Sequence, residues 1–137
     1  MGTPNERQED CMLAVVESSK TVAEIEKVFP EVCARHQFGV LGTINIRQKL
    51  NDKGLPFERE CLIFEVCNPQ QAKKVLDDNI AIATALPCRL AVYEEGGKTK
   101  IATIKPTALL GLFPNPELTP VAREVERTIM QIMQDLA

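Results

Sequence analysis

The chain contains no tryptophan, a single tyrosine and a single histidine, and aromatic residues make up only 4% of it. Platforms on which nucleobases could stack are therefore scarce. Positive charge is also in short supply, with 16 Lys and Arg against 19 Asp and Glu and a net charge of −3. Phosphate backbones are held by clustered Lys and Arg. No such stripe occurs, so nucleic acid is not an expected partner. Long apolar runs are missing too. None approaches the roughly 20 residues that cross a bilayer, and a membrane partner is not expected. The opening stretch, MGTPNERQED, is polar and acidic and lacks the apolar centre of a secretory signal. The chain thus reads as cytoplasmic. A zinc centre takes three or four protein ligands. With one histidine they would have to come from scattered residues, and no metal site is expected.

What is present is ordinary globular material. A chain of 137 residues, 45% hydrophobic and 26% charged, suits one domain that buries about two thirds of its unfolded surface without disulfides or metal. Residues 1–10 read as a flexible N-terminal arm and residues 11–137 as a single α+β domain. The five cysteines, Cys11, Cys33, Cys61, Cys67 and Cys88, would be reduced thiols in the cytoplasm. Their odd number leaves at least one unpaired in any case.

Apolar spacing predicts the elements. CMLAVVES (11–18) and FGVLGTI (38–44) are short β-branched runs that read as strands. Between them Thr21 and Glu24 have capping-box spacing, and Val22, Ile25, Val28, Phe29 and Val32 form one helical stripe. Pro30 should kink or restart that helix. NIRQKLNDKG predicts a short helix capped by Asn45 and stopped by Gly54. RECLIFEVC (59–67) alternates, with Leu62, Phe64 and Val66 on one side and Cys61, Ile63, Glu65 and Cys67 on the other. Asn68 and Pro69 open a helix of about two turns, and Asp77 or Asp78 caps a second that Pro87 halts. CRLAVYEEGGKTKIATIK reads as a hairpin turning at Gly96-Gly97. PTALLGLFPNP is a short helical turn and a proline-rich link. Residues 118–137 form an amphipathic helix capped by Thr119 and opened by Pro120, with Val121, Val125, Ile129, Ile132, Met133 and Leu136 buried.

The expected fold is a two-layer α+β sandwich, a mainly antiparallel sheet of about five strands with helices on one face. The other face would carry Ile63, Glu65, Ala91 and Tyr93. That set is too apolar for a fully solvated surface, so a homodimer through the sheet is expected.

Chemistry concentrates at Cys67 and Cys88. Two consecutive short helices return the chain to the sheet end it left. Cys67 should then close one strand and Cys88 open its neighbour at the same edge, within disulfide or shared-ligand reach. Alternation cuts against contact, because Cys67 is out of phase with Leu62, Phe64 and Val66, whereas Cys88 is in phase with Leu90 and Val92. Cys67 precedes a helix N-terminus, which favours a thiolate. Asn68 would cap that helix, and Pro69 and Pro87 would hold the backbone around the thiols. Glu65 and Tyr93 are added as candidate lining residues. His36 reads as a partner for a helix C-terminus, and a catalytic cysteine lacks an obvious histidine base.

Three functions fit this pattern. The first is a binding or sensing module for a small ligand with a paired-cysteine site. The second is a thiol enzyme or redox carrier with Cys67 as nucleophile and Cys88 as resolving thiol. The third is a soft-metal binder, for an ion such as Cu(I). Plain packing is the competing account of every cysteine here. No motif specifies a cofactor.

Phe38-Gly39, Lys53-Gly54, Cys67-Asn68-Pro69, Leu86-Pro87-Cys88 and Tyr93-Glu94, in this order, resemble the recurring pattern of the bacterial family known as domain of unknown function 302. The likeness covers roughly residues 10–110. It implies a compact α+β domain similar to the TATA-binding-protein-like class, often dimeric, and it assigns no activity. Many members carry a His-x-His-Asp run where this chain has Gly42-Thr43-Ile44-Asn45. If those histidines hold metal in relatives, this chain cannot do so in the same way. Asn45 in place of the aspartate keeps the helix cap and loses the charge.

Overall fold

A computed structural model describes residues 12–137; Cys11 and the arm read at residues 1–10 lie outside them. Five strands form one sheet: β1 (Leu13–Ser18), β2 (Gly39–Asn45), β3 (Cys61–Cys67), β4 (Cys88–Glu95) and β5 (Lys98–Ile104). Their spatial order is β1-β5-β4-β3-β2, and every neighbouring pair is antiparallel. Helices α1 (Val22–Arg35), α2 (Ile46–Asp52) and α3 (Pro69–Asp78), the last followed by a 3-10 helix at Ile80–Ala85, connect the first four strands, and α4 (Pro106–Leu110) and α5 (Leu118–Leu136) follow β5. This is the expected α+β sandwich. No helix of the described residues is long and apolar enough to cross a membrane.

Local chemistry accounts for most boundaries. Thr21 Oγ1 accepts from the Glu24 amide at 3.1 Å, and Glu24 Oε1 accepts from the Thr21 amide at 3.0 Å, a complete capping box. Pro30 does not interrupt α1, which is continuous from Val22 to Arg35. Both Pro30 and Glu26 face solvent. The carbonyl that Pro30 leaves unbonded therefore turns to water instead of into the core. α1 and α2 end in the same Schellman motif. The Phe38 and Gln37 amides donate to the Cys33 and Ala34 carbonyls, and the Leu55 and Gly54 amides to Leu50 and Asn51. The left-handed residue is Gly54 at φ 76° in α2 but Gln37 at φ 60° in α1.

Two helix starts differ from expectation. The 3-10 helix is capped by Asn79, whose Oδ1 accepts from the Ala81 amide at 3.0 Å, while Asp77 and Asp78 belong to α3. α5 begins at Leu118, ahead of Thr119 and Pro120. Asn115 is the cause. Its side chain accepts from the Glu117 amide and its carbonyl from the Leu118 amide, so the turn is already closed before Thr119.

The covered face of the sheet packs against α1 and the C-terminal part of α5. Ile25, Phe29, Phe64, Leu90, Ile101 and Met133 are sealed in this main cluster, with the Phe29 and Phe64 rings stacked at 3.8 Å. A separate cluster joins Val75, Ile82, Leu110, Leu118 and Ala122, from α3, the 3-10 helix, α4 and the start of α5. On the other face the register aligns one apolar row across all five strands: Ile44, Ile63, Ala91, Ala102 and Val15. Ion pairs flank that row, Arg89 with Glu65 at 3.9 Å and Lys100 with Glu95 at 2.7 Å.

Candidate functional site

β3 and β4 are antiparallel neighbours, as the two-helix return requires, and Cys88 stands opposite Val66. Cys67 lies one register step further, opposite Gly39 of β2. Side chains alternate along a strand. Cys88 therefore follows Val66 to the helix-covered side, and Cys67 starts toward the other. The β3–β4 register is unbroken, so no bulge corrects the phase. The two thiols share a sheet end but are not brought close together, so the expected disulfide or shared-ligand reach is not met, and both are free.

What they share is a cavity. A space of about 30 Å3 lies where the two apolar clusters meet. Phe38, Val66 and Cys88 border it from the main cluster, and Val75, Leu86 and Val121 from the smaller one. Cys67, Asn68, Gln71 and Pro87 also contribute to its wall. Asn68 caps α3, its Oδ1 accepting from the Gln71 amide at 3.1 Å. Pro69 occupies the first turn of α3, where its missing N–H has no helical partner to lose, and does not border the cavity. Gln71 was not legible as a site residue. Its side-chain Oε1 is sealed from solvent and has no hydrogen-bond partner.

The thiols are not activated. Burial raises the Cys67 thiol above its ordinary value. Burial also pushes Cys88 up to about 11, with the charge of a Cys67 thiolate adding to it. This reverses the expectation of a thiolate ahead of α3. Removing the sulfur from water opposes ionisation.

The remaining candidates lie elsewhere. Glu65 is on the uncovered face with Arg89. Tyr93 borders a shallow depression with Phe57, Arg59 and Cys61 at the opposite end of β3 and β4. His36 closes α1 and its Nε2 lies 2.7 Å from Asp135 Oδ2 on α5, where the pairing holds the Asp135 carboxyl below its usual range. Among the described residues no three His, Cys, Asp or Glu side chains gather as a metal-ligand group.

A larger cleft, about 810 Å3, opens at the sheet end away from Cys67 and Cys88, between the start of α1 and the β4–β5 hairpin. Its charged groups are largely engaged. Lys98 pairs with Glu17 at 3.2 Å, Glu94 accepts from the Glu60 amide at 2.9 Å, and Lys20 Nζ donates to the Leu136 carbonyl at 3.3 Å. The smaller cavity is the one that holds an unsatisfied polar atom.

The family described as domain of unknown function DUF302 matches residues 14–136. The chain belongs to the DUF302 family. The match extends beyond the 10–110 stretch that carried the likeness and takes in α5. A solved relative, the crystal structure of an uncharacterized conserved DUF302 protein from Bacillus stearothermophilus, is 36% identical. The superposition covers 92% of this chain and 98% of that one, with a TM-score of 0.88. No curated protein matches this DUF302 chain.

Proposed function

We propose that this chain is a binding or sensing module whose small ligand occupies the seam cavity beside Cys67, Asn68, Pro87 and Cys88. The observation that carries this reading is where the cavity lies. Two separately packed clusters leave an apolar space at the same sheet end to which the chain brings two thiols and a capped helix start. Ligand sites favour apolar concavities with a few placed polar groups. The thiol enzyme is the weaker reading. A nucleophilic cysteine needs thiolate near neutral pH, and burial holds both sulfurs protonated. A thermal-shift screen of small neutral molecules tests the proposal when repeated on Ala72→Leu, which places bulk in the cavity wall. Hits on the wild type that vanish in the variant support it. Alkylation of Cys67 at neutral pH faster than free cysteine would turn the case to the enzyme.

We also propose that a second copy of the chain covers the uncovered sheet face. Support comes from the apolar row through Ile63 and Ala91 and from Val15 and Ile104, exposed at 45% and 46%. The flanking charges are neutralised within the chain, so two such faces do not repel. Five strands of this length offer roughly 500 Å2 before surface relief, toward the ~800 Å2 per partner of a standard interface. Sedimentation of Ile63→Lys against the wild type tests it; a wild type that is already monomeric ends this reading.

A further inference from the structure

We propose that the seam site takes a small neutral molecule with an apolar body and one hydrogen-bond donor, the donor directed at Gln71 Oε1. This rests on the ligand-site reading above and specifies its chemistry. Among the described residues, Gln71 Oε1 is the buried side-chain polar atom left without a partner, and Gln71 borders the cavity. A buried acceptor with nothing to accept costs stability that a bound donor restores. The rest of the wall is mostly carbon, from Phe38, Val66, Val75, Leu86 and Val121. No charged side chain borders it. An ionised ligand would therefore lose its hydration with nothing to replace it.

Water is a poor occupant. The space of about 30 Å3 admits two or three water-sized spheres at roughly 10–15 Å3 each, but a buried water makes about three hydrogen bonds. Here Gln71 Oε1 is the buried acceptor left unpartnered, the thiols bond weakly, and most of the wall is carbon. A molecule with a single donor and hydrocarbon elsewhere leaves nothing unmatched.

The test uses 2-propanol, acetone and acetate, which have the same heavy-atom skeleton. Only 2-propanol brings a donor, and only acetate a charge. Each is titrated into the full chain while the methyl resonances of Val75, Leu86 and Val121 are followed by NMR. The expected result is saturation by 2-propanol with a Kd about tenfold below that of acetone, the usual worth of one hydrogen bond. Acetate should leave these methyls unmoved. Gln71→Met keeps the side-chain length, removes the acceptor and should erase the difference. If that variant does not fold, the wild-type comparison decides alone. Acetone binding as tightly as 2-propanol, saturation by acetate, or a difference that survives in Gln71→Met overturns the donor requirement and leaves a ligand site standing. Failure of all three probes to saturate these methyls removes the ligand site as well.

Discussion

The main cluster and the smaller one beside it are built by different means. The main cluster is closed by an antiparallel ladder and two long helices, and Phe29, Phe64, Leu90, Ile101 and Ile132 are fully sealed there. The smaller cluster comes from a ten-residue helix, a 3-10 helix, a five-residue helix and the first turns of α5. Helices that short do not hold themselves in water. They depend on Val75 and Ile82 beneath them and on polar ties above. Thr107 Oγ1 donates to Glu126 at 2.7 Å, and Asn115 Nδ2 to Asp78 at 2.7 Å. The contrast predicts a unit held by long elements and a less stable one held by short elements, joined along a shared helix. The cavity with Gln71 and the two cysteines lies along their boundary.

Truncation should separate the two units. Phe64→Ala removes half of the stacked pair from the main cluster and should cost about 3–5 kcal/mol in urea unfolding. Ile82→Ala, equally sealed, should cost nearer 2 kcal/mol because the short segments around it can close over the gap. Its signature in native-state hydrogen exchange should be faster exchange in α3 and the 3-10 helix, with β3, β4 and β5 unchanged. Equal global losses for the two variants would mean that the clusters form one cooperative core.

Alkaline pH probes one thiol deep in the main cluster and one at its seam with the smaller. Burial pushes Cys33, in the main cluster, and Cys88, at the seam, each up to about 11, from an ordinary value of 9.0. The unfolded thiols ionise first and the folded ones resist. Stability from both is therefore whole below pH 9 and falls as pH rises toward 11. At pH 10 the loss should be on the order of 1 kcal/mol per thiol. Urea midpoints near pH 8 and pH 10 should show it, and Cys88→Ala should remove only the seam's share.

The caps offer the next contrast. Asn68→Ala and Asn79→Ala should each cost about 1 kcal/mol. The first should also disturb the cavity, since Asn68 anchors Gln71, whereas the second should not. The smallest effect is a gain. Gln37→Gly relieves a left-handed glutamine in the α1 Schellman motif and should stabilise by roughly 0.5 kcal/mol, read as a raised thermal midpoint.

Legibility followed the same division. The strands, the α1 capping box, the Asn45 and Asn68 caps and the Gly96-Gly97 turn depend on residues close in sequence, and all were readable. In the smaller cluster the 3-10 helix belongs to Asn79 and not to Asp77 or Asp78, and α5 starts at Leu118 through bonds to Asn115. Those choices turn on which of several adjacent polar groups reaches which amide. Ala122 and Leu118 were missed as core residues because the face they present is set by α4 and the 3-10 helix arriving from elsewhere.

The cysteine site shows the limit most clearly. Alternation alone determined that Cys67 and Cys88 leave opposite faces, and two consecutive helix starts determined that they share an end of the sheet. Tertiary structure alone decided that burial raises both thiols above their ordinary value, and that Gln71 brings an unpartnered acceptor to the wall of the same cavity. Periodicity and capping are properties of a few neighbouring residues. Desolvation and an unfilled space are properties of whatever distant segments happen to pack there.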